Sequence, residues 1–285
     1  ATSIYRIVLS AYAIGAFDFD ISTLTGSTVT SKISYLNQPL LTASSTATLT
    51  YVSGSSTPLL SIDYQGDGIP DIAVAPTAVV SGSESSDIMP PTIEVQSPTD
   101  LEYGRNEMVP VVAVASDSES GIALFEIRLD GIAFATSTID LFYQPLGTHI
   151  LNFLTYDRAG NPREISQSFI SFADATSTIA DIERAFSLGW IKKKDTKNSL
   201  IKDLRTIMKI EKRIIKLEGK LPQVVLKKLT PEQKIQKKIE KLQAKIDKIL
   251  GKNFLKELEK KYKGGGITID AYNLLKEDVE WMMAN

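Results

Sequence analysis

The spacing of apolar residues divides the chain into a part with strand periodicity and a part with helix periodicity. In the first part, apolar residues alternate with polar ones, as at Tyr5, Ile7 and Leu9. A period of two with β-branched and aromatic residues predicts half-buried antiparallel strands. Beyond residue 175 the apolar period lengthens to about 3.6 residues, which predicts amphipathic helices. We therefore predict a multidomain protein with β-sandwich modules followed by an all-α helical bundle.

Changes in composition divide the chain further into four segments. Residues 1–80 form a predicted β-rich sandwich domain, and residues 81–90, rich in serine and ending at Pro90, form a predicted linker. Residues 91–174 form a second predicted sandwich, and residues 175–285 form the predicted helical bundle. Because the chain starts at Ala1 inside a strand-like run, we expect a fragment or a processed chain whose first domain is incomplete at its N-terminus.

The second sandwich carries the clearest sequence motifs. Its six predicted strands cover residues 93–95, 109–115, 125–129, 138–143, 149–153 and 165–172. The motif DSESGI at residues 117–122, and a GTH triplet at 147–149 followed by DRAGN at 157–161, resemble bacterial Ig-like domains. The resemblance implies an immunoglobulin-like sandwich over residues 91–174.

Two interpretations of the acidic residues in these motifs are open. Asp157 can accept backbone N–H bonds in a tight turn, with Gly160 supplying a positive φ angle. Alternatively, Asp117, Glu119 and Asp157 form a Ca²⁺ site at the domain edge, as in cadherin-like modules. The single histidine, His149, stands in a predicted strand, where we expect a packed or edge side chain rather than a catalytic base.

A second candidate Ca²⁺ site lies in the first domain, in the segment DYQGDGIPD at residues 63–71. Its acidic and glycine positions match the spacing of Ca²⁺ loops. The predicted ligands are the side chains of Asp63, Gln65, Asp67 and Asp71 and the carbonyl of Ile69. The segment resembles the loops of dockerin and thrombospondin type 3 repeats, but it has a neutral Gln at position 3 and Val74 at position 12. A polar turn between two strands is the alternative interpretation.

The helical segment combines a long hydrophobic stripe with a short heptad pattern. The stripe runs over residues 200–217 and ends at Gly219, and Thr230 is a predicted N-cap for the next helix. Ile235, Ile239, Leu242, Ile246 and Ile249 follow a heptad spacing, which predicts a helical hairpin with residues 200–217. Residues 189–204 and 254–275 resemble the FIMAH helical module of secreted bacterial proteins, which implies an accessory role.

Charge is distributed unevenly between the two parts. Residues 1–174 hold 6 Lys and Arg against 19 Asp and Glu, whereas residues 175–285 hold 26 against 15, within a chain of net charge −2. The basic helices have three candidate partners. The first is an anionic surface, either a wall polymer, a lipid or a polysaccharide. The second is the acidic sandwich modules, and the third is nucleic acid. Lysines outnumber arginines and aromatic residues are few, which argues against specific nucleic-acid recognition. A solvated lysine face is the fourth interpretation.

The sequence lacks several of the residues and motifs that catalysis commonly uses. The sequence has no cysteine, which excludes disulfides and thiolate zinc sites, and no G-x-S-x-G nucleophile motif. No run of about 18 apolar residues predicts a transmembrane helix. We expect the non-catalytic C-terminal part of a secreted or cell-surface prokaryotic protein, in which spacer or adhesion modules contact a wall polymer, a polysaccharide or another surface protein. The alternative is the accessory region of an extracellular glycoside hydrolase or protease whose catalytic domain lies upstream.

Overall fold

A computed structural model of the chain describes residues 3–55, 57–99, 101–220 and 230–285. Its strands are β1 (Ile4–Ser10), β2 (Gly15–Thr25), β3 (Thr28–Leu40), β4 (Thr46–Val52), β5 (Leu60–Asp63), β6 (Ile72–Val74), β7 (Ala78–Ser81), β8 (Thr92–Ser97), β9 (Glu102–Gly104), β10 (Met108–Pro110), β11 (Val112–Ser116), β12 (Ile122–Leu129), β13 (Ile132–Ala133), β14 (Thr138–Asp140), β15 (Gly147–Asp157) and β16 (Pro162–Phe172). Its helices are α1 (Ala175–Ser187), α2 (Lys194–Glu218), α3 (Thr230–Asp247), α4 (Leu255–Lys263) and α5 (Ile269–Ala284). This order confirms the predicted fold class.

The described chain forms two compact units, each assembled from three stretches of sequence. Unit 1 comprises Ala1–Gln96, Val112–Ala135 and Ile150–Gln167. Unit 2 comprises Ser97–Val111, Thr136–His149 and Ser168–Asn285. The predicted domain boundaries, which give the segments 1–80, 81–90, 91–174 and 175–285, follow the sequence rather than these units, and they stay predictions.

The N-terminal sandwich of unit 1 consists of two antiparallel sheets. One sheet has the strand order β1-β4-β5-β6 and the other has the order β2-β3-β7. In β4 and β5, buried apolar residues alternate with less buried threonines and serines, as the predicted pattern requires, whereas β3 buries the four consecutive residues 33–36. The fully buried core contains Ile33, Tyr35, Ala47, Leu49, Leu60 and Ile62.

The remaining strands of unit 1 belong to the second predicted sandwich. In this unit, β8 pairs with β11, and β12 pairs with both β13 and β15. The end of β15 and the turn that follows it contact the N-terminal sandwich: the Tyr156 hydroxyl donates to Asp18 at 2.9 Å, and Lys32 Nζ donates to the Ala159 carbonyl at 2.5 Å. The turn at residues 156–161 therefore connects two modules of the same unit.

Unit 2 is built around the helices. Apolar residues from α1, α2, α3, α4 and α5 share one core, to which Phe142 also belongs. The predicted heptad positions contribute to it, with Ile239 and Ile249 buried and the other three half-buried. A π-helical segment, Lys248–Phe254, connects α3 to α4, and Thr268 caps α5 by accepting from the Ala271 amide at 3.3 Å. The described helices include none that is long and apolar enough to span a bilayer.

Two predicted strands of the second sandwich differ in the structure. The strand expected at 138–143 ends at Asp140, and Leu141–Tyr143 form a 3₁₀ turn, because the Asp140 carboxylate accepts from the Phe142 amide. The strand expected at 109–115 divides into β10 and β11, which pair with different partners. The predicted cap at Thr230 involves a side chain outside the described part of the structure.

Candidate metal centre

Three aspartates from separate parts of unit 1 meet at one point. Asp87 follows a short 3₁₀ turn after β7, Asp117 follows β11, and Asp157 ends β15. One carboxylate oxygen of each lies within 4.8 Å of the others. Within residues 3–55, 57–99, 101–220 and 230–285, no other three metal-ligating side chains come together in this way. We call this group the aspartate cluster.

The Asp117 carboxylate is fixed by the loop that follows β11. Its Oδ1 accepts from the amides of Glu119, Ser120 and Gly121 at 3.0, 2.8 and 2.9 Å. Aspartate favours such loops because its short side chain reaches the amides of the next few residues. Since all three bonds use Oδ1, Oδ2 is available for another partner.

The Asp157 carboxylate is fully buried and is bonded to Asn161. Its Oδ1 accepts from the Asn161 amide at 2.8 Å, and its Oδ2 accepts from the Asn161 side chain at 2.7 Å. Gly160 between them has a φ of +91°, a left-handed conformation that glycine adopts without strain. The turn interpretation predicts this hydrogen bonding.

Asp87 supplies the unsatisfied oxygen of the cluster. Its side chain is only 6% exposed, and Oδ1 accepts from the Met89 amide at 2.9 Å. Its Oδ2 is buried and has no hydrogen-bond partner at normal geometry among the described residues, although the nearby Ser120 and Glu119 help to lower the pKa of Asp87. A buried polar atom without a partner costs about 1–3 kcal/mol, and more when it is charged. The Asp87 Oδ2 atom is therefore suited to binding a cation at this position.

Burial and repulsion between carboxylates both shift the pKa values of the residues in and beside the cluster. Repulsion from Asp87, together with burial and repulsion from Asp117, raises the pKa of Glu119. Burial raises the pKa of Asp157, and Asp87 and Asp117 add to the increase against the hydrogen bonds from Asn161. Burial also acts to raise the pKa of Asp87, but hydrogen bonds, first among them the Met89 amide, hold it below its ordinary value.

The chemistry of the cluster suits a hard divalent cation. Among the described residues, no ion pair within 4.0 Å involves Asp87, Asp117, Glu119 or Asp157. Carboxylate oxygens are the ligands that Ca²⁺ prefers, and waters complete its six to eight positions. A cleft of about 350 Å³, lined in part by Met89, Asp117 and Glu119, lies beside the cluster. The residues present therefore fit Ca²⁺.

The loop at 63–71 uses its carboxylates for backbone hydrogen bonds. Asp63 is buried, and its two oxygens accept from the amides of Gly66, Asp67 and Gly68 at 2.6, 3.3 and 2.8 Å. Burial acts to raise the pKa of Asp63, but these amides hold it below its ordinary value. Such bonding is typical of the polar-turn interpretation.

The other predicted ligands of this loop also bond within it. Asp71 accepts from the Tyr64 amide at 2.7 Å, and the Gln65 side-chain amide, oriented to satisfy its neighbours, donates to Asp71. Asp67 accepts from the amide of Ile69, an exposed residue. Calcium binding by this loop stays a prediction.

The structure brings together some of the predicted site residues and adds one. Asp117 and Asp157 lie in the aspartate cluster, and Glu119 interacts electrostatically with Asp87 and Asp117. Asp87 was not predicted, because it stands alone between a serine-rich segment and two prolines and belongs to no motif. His149 is 2% exposed, stacks on Phe169 and lies 3.0 Å from the Pro145 carbonyl, which fits the packed role expected for it.

Comparisons with known proteins assign no family to the chain. No family model matches the chain, and no curated protein sequence matches it. The fibronectin(III)-like modules of Clostridium thermocellum CbhA are similar to 60% of this chain and to 93% of their own length, with 17% identity and a TM-score of 0.27. At that TM-score the fold assignment rests on the strands and helices described above. The resemblances to FIMAH and dockerin modules stay sequence-level predictions.

Proposed function

We propose that the chain is a non-catalytic accessory part of a secreted or cell-surface protein, with sandwich modules that act as spacer or adhesion units and are joined through bound Ca²⁺. The observation that carries this proposal is the aspartate cluster. Asp87 comes from the segment that follows the N-terminal sandwich, and Asp117 and Asp157 come from two loops of the Ig-like module. A cation bound to all three would fix the connecting segment to the second module.

Calorimetry with Ca²⁺ tests this proposal. The chain, freed of divalent ions, is titrated with CaCl₂ and also melted with and without Ca²⁺. We expect saturable binding and a higher melting temperature, since a ligand at about 100 times its Kd adds about 2.7 kcal/mol of stability. Asp87→Asn removes one charged oxygen but keeps an acceptor for the Met89 amide, and it is expected to abolish binding.

A variant of the other candidate loop is the matched control. Asp67→Asn removes the same charge from the segment at 63–71, and we expect it to bind Ca²⁺ as the wild type does. Loss of binding in Asp67→Asn alone would assign the calcium to that loop and overturn the cluster as the site. Absence of heat and of any melting shift at millimolar Ca²⁺ would overturn both.

A second candidate function is binding of an anionic polysaccharide by the helices of unit 2. Residues 205–248 hold 14 Lys and Arg against five Asp and Glu. A groove of about 440 Å³ between α2 and α3 is lined in part by Leu217 and Leu242. Its other lining residues are all cations, namely Arg213, Lys216, Lys220, Lys238 and Lys241. None of these cations pairs with a described carboxylate within 4.0 Å, which leaves their charge available for a polyanion.

Retention on a heparin column tests this candidate. Replacing Lys216, Lys238 and Lys241 by Gln should release the protein at clearly lower salt, because adjacent cations bind a polyanion cooperatively through counterion release. Replacing the exposed Lys252, Lys256 and Lys260 by Gln is the control, with the same change in net charge outside the groove. Equal losses in both variants would show that charge alone drives retention and would contradict a groove site.

A further inference from the structure

Three polar side chains of unit 2 are buried on two helices that pack together, α1 and α5. Thr178 and Asp181 lie three residues apart on α1, so they share one face of that helix, and Asp278 lies on α5. Each of the three is 0% exposed. They therefore share the interior of the unit with the apolar side chains that both helices contribute to its core.

The oxygens of these side chains lack the partners that buried oxygens normally have. Thr178 Oγ1, both Asp181 oxygens and Asp278 Oδ2 have no hydrogen-bond partner at normal geometry among the described residues. Within the same residues, the one buried side-chain nitrogen without a partner is Arg105 Nε, and its single hydrogen cannot satisfy four oxygens. Since unsatisfied buried oxygens are costly, these four favour a positively charged ligand.

The three side chains act on one another, which shows that they are neighbours. Burial and then repulsion from Asp278 raise the pKa of Asp181. Burial also raises the pKa of Asp278, and the Thr178 hydroxyl is one of the groups that oppose this increase, after Arg105. The four oxygens therefore lie in one region where α1 packs against α5. We call Thr178, Asp181 and Asp278 the interhelical site.

One of the two carboxylates in this site has a counter-charge. Arg105 is 3% exposed and donates to Asp278 at 2.9 Å, so it neutralises that carboxylate. Arg105 also bonds to Glu277, but the Glu277 side chain is 40% exposed and is therefore solvated. Among the described residues, no ion pair within 4.0 Å involves Asp181.

The other charged groups that act on Asp181 balance each other. Arg184 acts to lower the pKa of Asp181 and Asp140 acts to raise it. Arg184 donates to Asp140 at 2.8 Å, so the two form a neutral pair. Asp181 is thus the carboxylate whose charge is unbalanced, and one positive charge would balance it. A divalent ion would leave an excess positive charge in the interior, which is unfavourable.

We propose that the interhelical site binds a monovalent alkali-metal cation, Na⁺ or K⁺, through the oxygens of Thr178, Asp181 and Asp278. Hard cations take oxygen ligands, and two carboxylates with one neutral hydroxyl suit a single positive charge beside Arg105. The ion competes with a proton for Asp181, because either one supplies the missing charge. This site is independent of the aspartate cluster, whose residues all belong to unit 1.

Urea unfolding followed by the fluorescence of Trp190 and Trp281, both in unit 2, tests the proposal. The wild type is unfolded at about pH 8.5 in NaCl, in KCl and in choline chloride of equal ionic strength. The urea midpoint should rise with Na⁺ or K⁺ concentration and then saturate, whereas bulky choline should have no such effect. An ion at about ten times its Kd should raise the folding equilibrium constant about 11-fold. At about pH 5, where Asp181 holds a proton, the rise should be absent.

Three variants separate this site from a general effect of salt. Asp181→Asn removes the unbalanced charge and keeps the shape, so its urea midpoint should be the same in all three salts. Thr178→Val keeps both carboxylates and removes one oxygen, so the Kd of the effective ion should rise about tenfold. Glu183→Gln, an exposed change on α1, is the matched control and should respond to the ions as the wild type does.

Hydrogen exchange shows whether the ion acts at this site. In the wild type at about pH 8.5, the effective ion should slow the exchange of amides in α1 and α5 relative to choline, and in Asp181→Asn it should not. Equal midpoints of the wild type in the three salts would overturn the proposal. A shift that Asp181→Asn keeps in full, or one without slower exchange in α1 and α5, would also overturn it, because the ion would then act elsewhere.

Discussion

At the scale of single residues, Gly66 and Gly68 show that one loop needs glycine for two different reasons. Both have positive φ angles, +74° and +88°. A Cβ at Gly66 would lie 2.2 Å from the Ser44 carbonyl oxygen, whereas a Cβ at Gly68 would meet nothing within 4 Å. The first glycine is needed for conformation and for close approach, and the second is needed for conformation alone.

We predict that Gly66→Ala destabilises unit 1 more than Gly68→Ala does. Both changes should cost about 1 kcal/mol for the left-handed conformation, and Gly66→Ala should cost roughly 1–3 kcal/mol more for the contact with Ser44. Thermal unfolding followed by far-UV circular dichroism measures the difference. Equal losses would show that the loop moves away from Ser44 at little cost, contrary to the packing described here.

The aspartate cluster shows which site residues can be predicted from sequence. Asp117 and Asp157 stand in motifs whose turns depend on an aspartate side chain, so their positions follow from local chemistry. Asp87 joins them through a contact between distant parts of the chain, and its burial depends on packing that no local pattern records. Local motifs therefore predicted the loops that contain Asp117 and Asp157, whereas Asp87 could be identified only from the folded structure.

At the scale of elements, periodicity predicted long elements well and short ones poorly. The alternating residues at 5–9, 125–129 and 149–153 lie within β1, β12 and β15, which extend beyond them in the structure. β9 and β13, of three and two residues, are too short to show a period and were not predicted. At residues 141–143 an apolar run continues a strand pattern, but the side chain of Asp140 caps a 3₁₀ turn there.

At the scale of the whole molecule, a buried ionic network should make the stability of unit 2 depend on pH. Arg105 is 3% exposed, bonds to Asp278 at 2.9 Å and to Glu277 at 2.6 Å. Asp181 is fully buried nearby, and neither of its oxygens has a partner among the described residues. Burial and then repulsion from Asp278 raise the pKa of Asp181 to about 8, although Arg105 and Arg184 oppose the increase.

The sign of the pH dependence follows from where the proton resides. Between pH values of about 4 and 8, Asp181 keeps its proton in the folded state and loses it in the unfolded state. The free energy of unfolding should therefore fall as pH rises through this window. Burial also raises the pKa of Asp278, to about 6, despite the opposing charge of Arg105, and this acts in the same direction.

We predict that Asp181→Asn removes much of this pH dependence. Asn has the same shape and no charge, so the variant should match the wild type at about pH 4 and exceed its stability near pH 8 by roughly 2–5 kcal/mol, since one pKa unit corresponds to about 1.4 kcal/mol. Tryptophan fluorescence reports this unit alone, because Trp190 and Trp281 both belong to it. Glu183→Gln, an exposed change on the same helix, should leave the pH profile unchanged. A wild-type stability that is flat or rises from pH 5 to 8 would mean that Asp181 ionises freely in the folded protein, and that the core of the helical unit admits the water needed to solvate it.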